Sequence, residues 1–189
     1  MVKKAQLSLT GISLTLGGAR VVQGIDLSVT RGEVLVLLGP SGCGKTSLLR
    51  LLAGLLQPDE GQVRLNDAPP KPGQGTAMAF QSYRLLPWKT VAQNVAFALP
   101  DFAPDDRAAR VRQVLHTVGL SRFANTFPAA LSGGMKQRVA LARALAPKPD
   151  FLLMDEPFAA LDAQSRELMQ GELLQLVDGP DGPGVVFVT

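Results

Sequence analysis

Gly39-Pro40-Ser41-Gly42-Cys43-Gly44-Lys45-Thr46 fits the spacing G-x4-G-K-[ST]. A short apolar run, Val34 to Leu38, precedes it, and a helical pattern, Ser47 to Leu56, follows until Pro58 stops it. Strand, glycine-rich loop and helix in that order make a phosphate cradle. The glycines let successive backbone N–H groups converge on one point, and the helix N-terminus adds its partial positive charge. Lys45 then reaches the outer phosphates of a nucleotide and Thr46 ligates magnesium. Gly39, Pro40, Ser41, Gly42, Cys43, Gly44, Lys45 and Thr46, with the neighbouring Ser47, are the expected nucleotide contacts. Cys43 reads as a loop residue facing its own backbone. A chance match has a probability on the order of one percent in a chain this long, and the flanking strand and helix lower it further.

Phe151-Leu152-Leu153-Met154 is a second short apolar run, and Asp155-Glu156-Pro157 follows it. The carboxyl end of a buried strand is where α/β proteins bind ligands. There Asp155 would hold magnesium through water, and Glu156 would orient or deprotonate the water that attacks a terminal phosphate. An acidic pair capping an apolar strand is, alone, more often a solvated loop. The phosphate loop upstream reverses that balance. Leu131-Ser132-Gly133-Gly134-Met135 precedes a helical pattern bearing Lys136, Gln137, Arg138 and Arg143. Two readings stand side by side. Ser132 is an ordinary N-cap followed by flexible glycines, or Ser132 and the N–H groups of Gly133 and Gly134 form a second anion site.

Around these motifs, residues 6 to 15 and 20 to 29 alternate as an antiparallel strand pair about Gly17-Gly18. Val34 to Leu38 reads as a strand buried on both faces. Gly61 to Leu65 and Thr76 to Phe80 read as strands separated by the turn around Pro69, Pro70, Pro72 and Gly73. Beyond Gln81 the period changes: Thr90 to Leu99 and Asp105 to Val118 are helical, so a helical lobe is expected over 82–131. A helix from Ser132 to about Ala146, another from Asp162 to Val177, a turn-rich loop from Asp178 to Gly184 and a strand from Val185 to Val188 complete the pass. The fold class is α/β, a core with an N-terminal antiparallel β patch and an inserted helical lobe, in one domain over 1–189.

The composition excludes several function classes. The chain has 189 residues, 46% of them hydrophobic and 19% charged, which suits one globular domain with a sizeable core. A net charge of +3 and no run of like charges give no sign of nucleic-acid binding. No apolar stretch approaches the ~20 residues that span a bilayer, and no secretory signal is visible. A single cysteine asks for no oxidising compartment, so a cytoplasmic location is expected. His116, the only histidine, lies in a helical pattern without ligand-type neighbours and reads as structural.

Taken in order, the phosphate loop, Gln81 after an apolar strand, LSGGM at 131–135, the strand ending in Asp155-Glu156-Pro157 and Ala160-Leu161-Asp162 resemble the ATP-binding subunits of ABC transporters over nearly the whole chain. The resemblance implies a P-loop NTPase core and ATP hydrolysis with Mg2+. It implies that Gln81 senses magnesium and the attacking water, and that Ser132, Gly133 and Gly134 complete the ATP site of a second, head-to-tail subunit, expected as a homodimer. Asp162 would couple the two sites. Met135 stands where glutamine is usual, with little effect expected because backbone N–H groups do the binding. Leu85-Leu86-Pro87-Trp88-Lys89-Thr90-Val91 with Asn94-Val95-Ala96-Phe97 resembles the importers of nitrate, sulfonates and taurine. It implies transmembrane permease subunits that dock after Gln81, a solute-binding protein as an indirect partner, and a peripheral place on the inner face of the cell membrane. Leu85, Leu86 and Trp88 are either that docking surface or core of the helical lobe.

Two departures from the family pattern carry expectations. Leu16 stands where an aromatic usually stacks on adenine, implying weaker base binding. The family follows its last strand with a histidine that contacts the γ phosphate, whereas this sequence ends at Thr189. It therefore looks C-terminally truncated, with slow turnover and exposed apolar surface expected. A nucleotide-binding remnant with little activity, and an ABC-type ATPase acting on nucleic acid or ribosomes, are the two rival functions.

Overall fold

The computed structural model describes residues 5–80, 82–158 and 182–189, together with Ala163, Arg166, Glu167, Gln170, Gly171, Leu173 and Leu174. Two sheets form. The antiparallel one has the order β2-β1-β4, with β1 Gln6–Leu16, β2 Ala19–Thr30 and β4 Glu60–Leu65. Leu16 pairs with Ala19 across the two-residue loop Gly17-Gly18. Both glycines have positive φ, 58° and 81°, the backbone that a tight hairpin matching the strand twist requires.

The second sheet is parallel, order β3-β7-β6-β5, from β3 Val34–Leu37, β5 Thr76–Ala79, β6 Phe151–Asp155 and β7 Gly184–Val188. All residues of β6 are buried, as its unbroken apolar run requires. Its alternate side chains serve two cores. Phe151 and Leu153 join α1 (Lys45–Leu52) and the antiparallel sheet in one cluster with Leu7, Leu9, Ile12 and Leu49. Leu152 and Met154 point the other way, into a cluster with α2 (Val91–Ala96), α3 (Pro104–Thr117) and α4 (Gly133–Leu145). The period of two thus divides one strand between the nucleotide-loop side and the helical lobe.

Three elements differ from the sequence expectations. β3 is not buried on both faces: it pairs only with β7 among the described residues, and Val34 and Val36 are 37% and 40% exposed. A continuous apolar run cannot distinguish one buried face from two. The helix after the phosphate loop starts earlier, at Lys45, and ends at Leu52, where Gly54 adopts φ 69°. α2 is shorter than Thr90 to Leu99, because Thr90 is its N-cap in a reciprocal capping box with Gln93. His116 is exposed in the last turn of α3, where a polar ring suits the helix C-terminus.

The lobe over 82–131 holds α2, α3 and two short 3-10 turns, Ser121–Phe123 and Pro128–Ala130, packed on α4. Arg110 of α3 donates to the carbonyls of Leu145 (2.7 Å) and Ala146 (2.8 Å), so a cation caps the C-terminal end of α4. Of the expected helix from Asp162 to Val177, the described positions from Ala163 to Leu174 are helical. Gln81 and Asp162 lie outside the described residues, as do Asp178 to Asp181 of the expected turn. Among the described residues no helix is long and apolar enough to cross a membrane.

Candidate functional site

The loop between β3 and α1 closes on itself. Lys45 Nζ donates to the carbonyls of Gly39 (2.6 Å) and Pro40 (2.9 Å), drawing the ammonium across the mouth of the loop. Gly44 is the N-cap of α1 at φ 95° and supplies no side-chain acceptor. The first N–H groups of the helix, those of Lys45, Thr46 and Ser47, therefore have no intrahelical partner and face the loop. That is an arrangement of donors and positive dipole suited to phosphate. Close approach to backbone requires one glycine, Gly44, while a second, Gly39, meets only a side chain that can turn away. A Cβ on Gly44 would lie 2.5 Å from the Val21 carbonyl oxygen, and one on Gly39 would lie 2.9 Å from Cys43 Sγ. Cys43 is exposed, with its sulfur against Gly39. Because Val21 backs onto Gly44, the end of the β1–β2 hairpin stands beside the phosphate loop. Leu16 sits there, 39% exposed.

Strand parity explains how two motifs far apart in sequence meet. Phe151 and Leu153 face α1, so Asp155, two residues further, faces it as well. Thr46, in the first turn of α1, donates from Oγ1 to Asp155 Oδ1 at 3.0 Å. Asp155 is only 8% exposed. A hydroxyl and one carboxylate at the rim of a phosphate cradle form the donor set that suits Mg2+, which takes one or two protein oxygens plus phosphates. Glu156 is set apart from its neighbour. At φ 45° it leaves the strand direction, and its N–H donates to the Val188 carbonyl at 3.1 Å. The side chain is partly exposed where the strand stops, next to the loop rather than within it. A non-glycine residue held at positive φ at this point is backbone strain of the kind found at working sites.

Ser132 is the N-cap of α4, with its hydroxyl accepting from Met135 N–H at 3.2 Å. The plainer of its two sequence readings thus describes its bonding within this chain, and the hydroxyl and the N–H groups of Gly133 and Gly134 sit at an open helix end. No hydrogen bond joins Ser132, Gly133 or Gly134 to the phosphate loop among the described residues. The phosphate loop, Thr46 and Asp155 are brought together in one chain. The segment at 132–134 belongs to a separate helix.

After Gln81 the chain runs over the lobe surface. Trp88 is 71% exposed, whereas Leu85 packs against the lobe core and Leu86 is partly buried, so the two earlier readings divide between these residues. Phe97 and Phe102 are also exposed and line a groove of about 540 Å³ with Leu55, Met78, Phe80 and Arg143. Sequence reasoning gave no role of its own to Asn94, which is fully buried and organises this segment. Its Oδ1 accepts from Leu86 N–H (2.8 Å), and its Nδ2 reaches the carbonyls of Leu86, Lys89 and Thr90 at 3.1, 2.9 and 3.0 Å. The available signal was an amide at a position that helical periodicity assigns to the core, directly after the Thr90–Gln93 capping box.

Comparison with known proteins agrees with this geometry. The chain is similar to the taurine import ATP-binding protein of Pseudomonas aeruginosa, 46% identical over 172 residues, which are 89% of this chain and 65% of that protein. It is similar to the spermidine/putrescine import ATP-binding protein of Nitrosomonas europaea, 47% identical over 192 residues, 98% of this chain and 53% of that protein. The chain thus spans between about half and two thirds of the length of these curated relatives. A solved dimeric ATP-binding cassette in a post-hydrolysis state, bound to ADP and Pi, superposes with a TM-score of 0.84 at 31% identity over 97% of this chain and 87% of that one. The ABC transporter family pattern matches residues 22–159, a span that takes in the phosphate loop, the Ser132–Gly134 segment and the Asp155–Glu156 strand end, and the chain belongs to that family.

Proposed function

We propose that this chain binds and hydrolyses ATP as the energising subunit of an ABC importer. The observation that carries the reading is the 3.0 Å bond between Thr46 and Asp155, which joins the phosphate loop to the carboxylate strand. In this reading the N–H groups from Gly42 to Ser47, with Lys45, bind and orient the phosphates. Thr46 and Asp155 hold Mg2+, which would neutralise charge on the phosphates. Glu156 takes or directs a proton of the attacking water, and Gln81 assists it. Ser132, Gly133 and Gly134 cover the phosphates of a second copy, and Asp162 couples the two sites across the dimer. The helix-end geometry of Ser132 supports this role because its donors face outward.

The exposed Trp88, together with Phe97 and Phe102 along the 540 Å³ groove, supports docking of a transmembrane permease on the lobe, and with it a peripheral place on the inner face of the cell membrane. The resemblance of residues 85–97 and the taurine relative support a nitrate-, sulfonate- or taurine-like solute, delivered to the permease by a solute-binding protein. Titration with MgATP and phosphate release by the 189-residue chain test the core reading. ATP binding with release that falls in Glu156→Gln supports it, and no binding overturns it.

A further inference from the structure

The segment following Gln81 is held by side chains of two different helices. From α2, Asn94 fixes Leu86 to Thr90. From α4, the guanidinium of Arg143 donates through Nη1 to the Arg84 carbonyl at 2.6 Å and through Nη2 to the Tyr83 carbonyl at 2.9 Å. Arg84 sits at φ 46°, with its own guanidinium 4.0 Å from the centre of the Phe80 ring. A non-glycine residue in that conformation persists only where its surroundings hold it, and here the Arg143 bonds to it and to its neighbour Tyr83 act together with its stacking on Phe80. Arg143 is half-buried. Burial, and secondarily the nearby Arg84 cation, lower its pKa from the ordinary arginine value, so its placement carries an electrostatic cost that the two carbonyl bonds offset. A rigid fork can serve two carbonyls at once where a lysine, a point charge, serves one well. The helix that carries Arg143 is capped by Ser132 three turns earlier.

We propose that Arg143 is a positioning residue that ties the helix opened by Ser132 to the segment between Gln81 and Trp88, so that the two move as one body. The inference rests on the nucleotide reading of Ser132 and Gln81 for its use, and on the Arg143 bonds alone for its geometry. Nucleotide engagement at the N-terminus of α4 is then transmitted to Trp88 on the exposed lobe surface through one side chain, without rearrangement of the lobe core.

Trp88 is the only tryptophan and reports on this segment directly. The test uses the 189-residue chain, Arg143→Met, which keeps an apolar stem, and Arg143→Lys, which keeps the charge. Amide hydrogen exchange over residues 82–90 and Trp88 anisotropy are measured without nucleotide, and Trp88 emission is then followed during MgATP titration. In Arg143→Met, exchange at Leu86, whose N–H donates to Asn94 Oδ1, speeds up about tenfold or more as the segment loses the two charge-assisted bonds that hold it. Exchange in α1 stays at the parent rate, the fast component of Trp88 anisotropy grows, and ATP binds without the emission change seen in the parent. Arg143→Lys falls between the two. Parent-like exchange at Leu86 in Arg143→Met, or in Arg143→Lys should the methionine variant not fold, overturns the proposal, as does an unchanged emission response in a folded Arg143→Met. Failure of the parent to bind ATP counts against the nucleotide reading instead, and the exchange rates still decide the role of Arg143.

Discussion

Lys45→Met separates two jobs of one ammonium group. In the chain as described, Nζ closes the loop onto the carbonyls of Gly39 and Pro40 at 2.6 and 2.9 Å. In the proposed reading, the same group meets phosphate oxygens once ATP is bound. A charge-assisted contact of that kind is worth roughly 1.5 to 3 kcal/mol, a factor of about ten to 150 in Kd. The parent must first release the two carbonyls, a cost the methionine variant does not meet, so the loss lies toward the lower end, at about ten- to thirtyfold. Stability responds differently. The carbonyl bonds lie at the open loop and contribute about 1 kcal/mol together, which lowers Tm by roughly 2 to 4 °C in a chain of this size. Isothermal titration with MgATP and scanning calorimetry on the same samples give both numbers. A Kd equal to that of the parent would refute the assignment of Lys45 to the phosphates. A Tm collapse with no change in affinity of the folded fraction would refute the division of its roles.

Three further substitutions probe other parts of the site. Asn94→Ala leaves buried groups of the Leu86–Thr90 segment unpaired at a cost of about 2 to 4 kcal/mol, and calorimetry should show Tm lower by roughly 5 to 15 °C. Gly44→Ala places a Cβ 2.5 Å from the Val21 oxygen at a residue with φ 95°; the strain is about 1 to 3 kcal/mol, and titration should show ATP binding lost together with a lower Tm. Asp155→Asn removes the carboxylate facing Thr46, and ATP affinity should lose its dependence on Mg2+ when titrated with and without the ion.

Much of this was legible in the sequence because it depends on local pattern. The phosphate loop announces itself by glycine spacing, β6 by an unbroken apolar run, and the cap of α4 by Ser132 ahead of a helical period. The bond between Thr46 and Asp155 follows from parity along β6 once the strand is known to face α1. What stayed hidden depends on tertiary partners. The exposure of Val34 and Val36 is set by which strands flank β3. The fork of Arg143 and the four contacts of Asn94 answer to carbonyls whose directions are created by an irregular segment, and no periodicity describes such a segment. Trp88 and Leu85 have similar hydrophobicity and opposite fates, because one sits at the tip of that segment and the other beneath it.

Sedimentation velocity of Glu156→Gln, with and without saturating MgATP, tests the central claim most directly. In the proposed reading, a phosphate loop in one copy and Ser132, Gly133 and Gly134 in another complete each site only when two chains meet head to tail. The nucleotide should therefore convert monomer to dimer, and Ser132→Arg, added to the same chain, should abolish the dimer while leaving ATP binding to the phosphate loop in place. A chain that binds ATP by titration yet remains monomeric at saturation, or a dimer indifferent to Ser132→Arg, would contradict it.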